Sequence, residues 1–420
     1  MNEETACVIE AQAHRAAAMS GRDRHEAHRT ATPLELLFDL TFVIAFGIAG
    51  AQFAHQLAEG HFGAALIGFG FAMFAVCWAW VNFSWFASAY DTDDWIFRVA
   101  TMVQMIGVLI LAVGLPAMFR SIEHGAQIDN TVMVLGYIVM RAAMIFQWLR
   151  AGLQDPQGRS SCLTYAAAVT IAQVGWVVVM LADMSVLATF LCGAILIAIE
   201  MSGPFIAEQK GQGTPWHAHH IAERYGLLAI IALGEGVVGT VASISAVVET
   251  QGWNLDAVLV CIAGTGLTFG MWWVYFFVPS AQVLHVHRQR SFVWGYGHMV
   301  TFAAIAATGA GLHVTGLFIE HKAHIGAVAT MLCVAIPVGV YILTIFGLYT
   351  YLMREVDPLH LWLLAGTLAV LVLSVGLAAA GVRMTACLIV LTLAPVVTIV
   401  GYEAIGYRHS GEALRRVLRR

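Results

Sequence analysis

The chain has 420 residues, of which 60% are hydrophobic and only 11% are charged. Because soluble globular proteins carry about 25% charged residues, this composition predicts an all-α polytopic integral membrane protein with membrane lipid as its first partner. The formal net charge of −5 shows no basic surplus, which argues against a nucleic-acid partner.

Apolar runs long enough to cross a bilayer as helices, at ~1.5 Å of rise per residue, recur along the whole chain. We predict twelve spans, at residues 34–56, 62–88, 97–119, 130–150, 162–182, 185–206, 221–247, 255–279, 291–318, 323–353, 359–380 and 384–407. Residues 1–33 are polar, lack the apolar core of a signal peptide and are predicted to form a cytoplasmic tail. Residues 408–420 carry five arginines and are predicted to form a basic tail at the membrane surface.

Lysine and arginine fall almost entirely on one side of the predicted membrane. The side that holds both tails carries 17 of the 21, and the other side carries Arg120, Lys322 and Arg383. The remaining cation, Arg141, lies inside the fourth span. By the positive-inside rule, both termini are expected in the cytoplasm.

The second half of the chain repeats features of the first half in the same order. The matches are Trp78-Ala79-Trp80 with Trp272-Trp273, Asp155-Pro156 with Asp357-Pro358, Glu200-Met201-Ser202-Gly203 with Glu403-Ala404-Ile405-Gly406, and Glu35 with Glu223. We therefore expect two parallel six-helix repeats, 34–207 and 208–407, related by an axis along the membrane normal. Substrate sites in such proteins tend to lie between the halves.

Two acids stand four residues apart at the start of the first span, Glu35 and Asp39. This spacing places them on one face of a helix. Glu35 either caps the helix start, where the helix dipole favours an acid, or belongs to a cation or proton site. Because Glu35 matches Glu223 in the repeat, we expect these two acids to share a structural role at the cytoplasmic face. Asp39 lies one turn deeper, so we expect it to be functional or ion-paired.

Arg141 lies about ten residues from either end of its span. A lone guanidinium at that depth costs ~2.5–3.5 kcal/mol on insertion scales, so it needs an acid or a water-filled cavity. The candidate partners are Asp39, Glu200 and Glu235, of which Asp39 is favoured. A purely structural ion pair remains an equal alternative.

Glu235 is the deepest acid of the sequence and lies between Gly234 and Gly236. Glycines let another helix or an ion approach the backbone closely. We therefore predict that Glu235 is the functional carboxylate, with a hydrogen bond to a neighbouring helix as the alternative. Glu200 and Glu403 occupy matching places in the sixth and twelfth spans, which indicates a role shared by both halves.

Secondary candidates are an ion pair of Asp94 with Arg98 and the buried His298, either a proton carrier or a satisfied core histidine. The pattern His217, His219, His220 and Glu223 contains an i, i+4 pair suited to zinc, but interfacial loop positions explain it better. We assign no metal site and no cofactor. No nucleophile elbow, phosphate-binding loop or HExxH motif occurs, so we expect no enzyme activity.

Three motifs resemble the bacterial low temperature requirement protein A family. They are Pro33-Leu34-Glu35-Leu36-Leu37-Phe38-Asp39-Leu40-Thr41-Phe42-Val43, the stretch Asp91-Thr92-Asp93-Asp94 with Arg98, and Glu223-Arg224-Tyr225-Gly226-Leu227 running into Leu233-Gly234-Glu235. The resemblance implies a multi-pass protein of the bacterial inner membrane, and the family name identifies no substrate. Gly236 stands where the family pattern has serine.

The first span is also similar to the Phe-Ser-Asp motif of six-helix potassium channels that occur as two-repeat chains, although Phe38-Asp39 lacks the serine. Three hypotheses follow. The first is a transporter for an ion or small solute, coupled to protons or cations. The second is a cation channel lined by Asp39, Phe42 and Phe46, and the third is a membrane scaffold or sensor. The oligomeric state is open.

Overall fold

The computed structural model describes residues 16–24, 26, 29–125, 127–182 and 184–419, with the backbone alone at 250 and 251. Two cations of the topology count, Arg15 and Arg420, lie outside these residues. The described part is all-helical, and twelve of its helices are long and apolar enough to cross a membrane. This confirms the predicted number of spans.

The helices follow one another with short connections. They are α1 Pro33–Ala58, α2 Phe62–Tyr90, α3 Trp95–His124, α4 Thr131–Gln154, α5 Arg159–Leu181, α6 Val186–Glu208, α7 Ala218–Gln251, α8 Leu255–Tyr275, α9 Ser280–Val286, α10 Ser291–Ile319, α11 Ala327–Met353, α12 Pro358–Ala379, α13 Met384–Gly401 and α14 Tyr407–Leu418. Polar residues start several of them: Asp94, Ser185, Asn254 and Asp357 each accept a hydrogen bond from a backbone N–H of the first turn.

Most predicted boundaries lie one to six residues from those of the structure, and three of the differences reflect local structure. The eighth span ends at Tyr275 because Pro279 disfavours helical backbone just before it, and the short helix α9 follows. The tenth span starts at Ala327, after a connection in which the His324 N–H donates to the Ala58 carbonyl at 2.7 Å. The twelfth span ends at Gly401 and continues into a π-helical turn at Tyr402–Gly406.

The chain forms two compact units. The first contains the described residues up to Ala45 together with Trp78–Ile221, and the second contains Phe46–Cys77 and the residues from Ala222 onward. Helix α1 is therefore divided between the two units after Ala45, and helix α2 is divided after Cys77. The predicted boundary between the two six-helix repeats, at residues 207 and 208, is a different division of the chain from these units, and it stays a prediction.

Within the first unit, α3, α4, α5 and α6 pack as consecutive antiparallel neighbours. A Cβ on Gly107 of α3 would lie 2.6 Å from the carbonyl oxygen of Gly136 in α4, so glycine sets this close helix approach. In the second unit, α10, α11, α12 and α13 pack in the same consecutive manner, and α8 packs against α13.

The N-terminal segment lies on one face of the first unit. The Ala17 N–H donates to Asp94 after α2, at 2.9 Å, and the Met19 N–H donates to Gln154 at the end of α4, at 2.7 Å. The Tyr90 hydroxyl joins the same face to Asp155, at 3.0 Å. These hydrogen bonds hold the N-terminal segment and the connections after α2 and α4 on one face, as expected when consecutive helices run up and down. The cytoplasmic placement of this face stays a prediction.

Candidate functional site

Glu35 starts α1 with a capping box. Its carboxylate accepts the Thr32 N–H at 2.7 Å, and the Thr32 hydroxyl accepts the Glu35 N–H at 3.3 Å. The capping role considered for Glu35 is thus present. The His220 Nε2 also lies 3.1 Å from the carboxylate, and both side chains are fully buried. The helix start therefore carries a buried carboxylate–imidazole pair.

Asp39 lies one turn deeper on α1 and is fully buried. Its Oδ1 accepts the indole N–H of Trp80, in α2, at 2.7 Å. Trp80 is fully buried as well, so this hydrogen bond is made away from water. The predicted functional role of Asp39 stays a prediction, and the structure adds an indole donor as its partner.

Arg141 pairs with Glu200 of α6, one of its three predicted partners, and the favoured pairing with Asp39 is wrong. The Arg141 Nη2 lies 2.6 Å from the Glu200 Oε2, with side chains 6% and 2% exposed. The other Glu200 oxygen accepts the indole N–H of Trp176 at 2.8 Å. The sequence does not show which helix faces the guanidinium, so it cannot distinguish Glu200 from Asp39 as the partner.

A small cavity of about 20 Å³ adjoins Arg141 inside the first unit. It exceeds the ~10–15 Å³ that one water molecule needs. Its polar lining comes from Arg141, Asn82 of α2, Gln104 of α3 and Tyr137. The Arg141 guanidinium carbon lies 5.1 Å from the centre of the Tyr137 ring, a cation–π contact within its own helix. Arg141 thus has both an acid and a cavity.

Glu235 occupies the middle of α7 in the second unit, with 9% of its surface exposed. Its carboxylate faces two glycines of α1, because a Cβ on Gly47 or Gly50 would lie 3.4 or 3.3 Å from its oxygens. A Cβ on Gly309 of α10 would overlap the Glu235 backbone carbonyl. Within the described chain, no hydrogen bond or ion pair reaches this carboxylate. The alternative of a hydrogen bond to a neighbouring helix is therefore not seen.

The matched acids of the second half differ from those of the first. Glu403 is exposed in the π-helical turn, where it accepts the Trp273 indole N–H at 3.1 Å. Like Glu200, it accepts an indole N–H, but its side chain is exposed on the protein surface. Glu223 is exposed whereas Glu35 is fully buried, so the predicted common role of those two does not hold. Arg224, next to Glu223, is fully buried.

The predicted pair of Asp94 with Arg98 is wrong. Arg98 forms two hydrogen bonds to Asp93, at 2.9 and 2.8 Å, on an exposed surface. Asp94 instead pairs with the buried Arg150 of α4 and accepts the Phe97 N–H. Asp94 is the N-cap of α3, and this fixes its side chain toward α4. Desolvation opposes ionisation of Asp94, but the bonds from Arg150 and the backbone outweigh it and lower its pKa.

Asp91 also lies in the connection between α2 and α3, but its pKa is shifted in the opposite direction to that of Asp94. Burial, followed by the charge of Glu35, raises the pKa of Asp91 to about 6, while Arg29 at 3.4 Å works against both. The connection between α2 and α3 therefore holds one carboxyl with a lowered pKa, Asp94, and one with a raised pKa, Asp91.

The histidine candidates make hydrogen bonds within the protein. The His217 ring accepts the His220 N–H at 3.3 Å. The His298 Nδ1 lies 2.7 Å from the Trp294 carbonyl oxygen, and four aromatic rings surround it: Tyr225, Tyr275, Trp294 and Phe302. No group of three or more His, Cys, Asp or Glu side chains suited to a metal occurs in the described part of the chain.

Sequence reasoning missed the groups that hold the buried acids. Trp80 and Trp176 each donate an indole N–H to a carboxylate, and Arg150 neutralises Asp94. Trp80 had a signal, because it lies deeper than an interfacial aromatic belt would place it. Arg150 had none, because a cation at the end of a span is normal.

Apolar helices that enclose acids and a mid-helix arginine define a polytopic helical membrane protein with charges inside its helix bundle. The model of the bacterial low temperature requirement A protein (LtrA) matches residues 30–395, and the chain belongs to this family. It is also similar to the uncharacterized protein RA0937 of Rhizobium meliloti (strain 1021), with 24% identity over 293 residues that cover 66% of this chain and 67% of the relative. No solved structure matches the chain.

Proposed function

We propose that this protein is a transporter that moves a small solute together with protons, and that Glu235 carries the proton. The observation behind this proposal is a buried carboxylate in a membrane helix with no hydrogen bond or ion pair from the described residues. Ionisable groups inside membrane segments are expensive and therefore functional by default. Glu35, Asp39 and Glu200 differ from Glu235, because each has a polar partner.

The surroundings of Glu235 favour a proton over a metal ion. Hard cations such as Ca²⁺ take six or more oxygen ligands. The carboxylate of Glu235 instead faces Gly47 and Gly50, which bring no side-chain oxygen. The nearby Thr268 hydroxyl donates to the Gly264 carbonyl within its own helix. A carboxylate alone can bind a proton without further ligands.

Two parallel repeats, 34–207 and 208–407, would provide alternating access as the mechanism. Gly107 of α3 lies against α4, and Gly311 of α10 lies against Cys333 of α11, so the third and ninth spans each approach the next span through a glycine. Parallel repeats of this kind would rock against each other around a central site. We place both termini in the cytoplasm of a bacterial inner membrane.

The channel hypothesis has less support. The three side chains expected to line a pore, Asp39, Phe42 and Phe46, are at most 1% exposed, because protein packs around them. The scaffold or sensor hypothesis requires no movement of solute at all. We assign no catalytic role to any residue.

The proposal is tested with the full chain in liposomes that contain a pH-sensitive dye. Gradients of sodium, potassium, monocarboxylates, amino acids and sugars are applied one at a time, with empty liposomes as the blank. At least one gradient should drive a protein-dependent pH change, which Glu235→Gln should abolish. Glu249→Gln is the matched control, because Glu249 is an exposed acid near the end of the same helix.

Equal proton movement in the wild type and Glu235→Gln would refute the role of Glu235. A wild type that moves no proton with any solute would favour the scaffold. Unitary currents in a planar bilayer, far above transporter turnover, would favour the channel.

A further inference from the structure

The guanidinium of Arg141 has more donors than its partners use. A guanidinium carries five N–H groups. One of them bonds Glu200 at 2.6 Å, and no other hydrogen bond to this guanidinium occurs among the described residues. The unused N–H groups belong to a side chain that is 95% buried, at the middle of a membrane helix. Arg141 therefore retains strong donors where water is scarce.

These donors belong to a residue that lines the 20 Å³ cavity of the first unit. Two amides line the same space. Asn82 donates to the Trp78 carbonyl at 2.7 Å, and Gln104 donates to Gln147 at 2.9 Å. The amide oxygens of Asn82 and Gln104 have no hydrogen bond within the described chain, and an amide group can turn to offer either its oxygen or its nitrogen. The remaining lining, Phe38, Ala79, Met140, Met144 and Val169, is apolar.

We propose that this cavity is a binding site for the carboxylate group of a small monovalent acid, with the Arg141 guanidinium as its main ligand. The planar guanidinium matches a carboxylate with two parallel hydrogen bonds. Glu200 does not compete for the remaining donors, because both of its oxygens are already bonded, to Arg141 and to Trp176.

The inference rests on the proposed function and adds a substrate class to it. The pair of Arg141 with Glu200 is neutral, so a bound carboxylate brings one net negative charge into the bilayer. A proton carried on Glu235 offsets that charge, and one acid anion with one proton crosses without net charge. Such a cycle moves no uncompensated charge through the membrane potential.

The size of the cavity selects the probe. At about 20 Å³ it has room for one group little larger than water, and formate is a carboxylate with a single hydrogen attached. The 420-residue chain in detergent is titrated with sodium formate against sodium gluconate at constant ionic strength. Thermal unfolding is followed by tryptophan fluorescence. A ligand that binds the folded state raises the unfolding midpoint.

We expect the midpoint to rise with formate, in proportion to the logarithm of its concentration above the dissociation constant, and to respond more weakly to acetate and benzoate. The double variant Arg141→Gln with Glu200→Gln removes both charges together, which keeps the buried site neutral and the fold intact. It should weaken formate binding by about tenfold or more, since hydrogen bonds to charged groups are worth ~1.5–3 kcal/mol. The matched control is Arg98→Gln with Asp93→Asn, an exposed ion pair.

Three outcomes would overturn the inference: a midpoint of the wild type that rises no more with formate than with gluconate, an unchanged response in the buried double variant, or an equal loss in the exposed one. Glu235→Gln separates this inference from the proposed function, because it should bind formate normally in detergent. Formate binding without proton-coupled flux would refute the transport mechanism alone.

Discussion

The buried pair of Arg141 and Glu200 gives the sharpest prediction on stability. The two charged groups are 2.6 Å apart and almost fully buried. Removal of one partner leaves an uncompensated charge inside the bundle, which typically costs about 3–5 kcal/mol. Arg141→Gln leaves Glu200 with only the Trp176 indole, and Glu200→Gln leaves a guanidinium with no carboxylate. The double variant leaves two amides, which can hydrogen-bond each other.

The assay is a double-mutant cycle on thermal unfolding of the full chain in detergent. Each single variant should lower the unfolding midpoint by on the order of 10 °C, from about 3–5 kcal/mol at a few degrees per kcal/mol. The double variant should lose less than either single variant, because it restores neutrality. The exposed pair of Arg98 and Asp93 serves as control, and its cycle should show a coupling of ~1 kcal/mol or less.

Additive losses in the buried cycle would refute the reasoning, because additivity is expected of groups that do not interact. An unchanged midpoint in Glu200→Gln would refute it equally, since Arg141 would then be stabilised by something other than Glu200.

Three further predictions follow from particular contacts. Trp80→Phe keeps an aromatic ring but removes the indole N–H with its 2.7 Å hydrogen bond to Asp39, so the free energy of unfolding should fall by ~1.5–3 kcal/mol for the bond, and further for the smaller buried side chain. The pKa of Asp91 is raised from 3.8 to about 6, so the folded state holds that proton more tightly and stability should decrease as the pH rises through this window. Asp91→Asn should flatten the profile. Gly309→Ala forces a methyl group against the Glu235 backbone, so it should lower stability by ~1–3 kcal/mol or more.

Each of these variants has a control in the chain. Trp95→Phe changes a tryptophan that is 57% exposed, and it should leave the midpoint nearly unchanged. Gly347→Ala places a methyl group where nothing lies within 4 Å, so it should be neutral or stabilise by up to ~1 kcal/mol. Asp93→Asn should retain the pH profile of the wild type. A loss with Trp95→Phe equal to that with Trp80→Phe, or a Gly309→Ala variant as stable as Gly347→Ala, would contradict the packing described.

The architecture could be predicted because it rests on composition and length. Twelve apolar runs fix the number of spans, and most span ends lie within a few residues of the expected positions. The errors come from local chemistry that apolar counts do not register. Pro279 stops α8 early, and an ordered connection that bonds His324 to Ala58 delays α11.

The buried charges were found, but their partners were found only in part. A charge inside an apolar run is visible in one dimension, whereas its partner depends on which helix faces it. Arg141 therefore had three candidate acids, and the packing of α4 against its neighbours selects Glu200. The arginine partner of Asp94 lies 56 residues away in the chain, so no local spacing rule could reveal it.

Proton exchange at Glu235 is the central claim, and infrared difference spectroscopy of the protein in lipid bilayers tests it most directly. A change of pH should produce the carboxyl band of a group that gains or loses a proton inside an apolar environment. That band should disappear in Glu235→Gln and persist in Glu249→Gln. An identical spectrum in wild type and Glu235→Gln would show that Glu235 exchanges no proton, and would contradict the proposed mechanism.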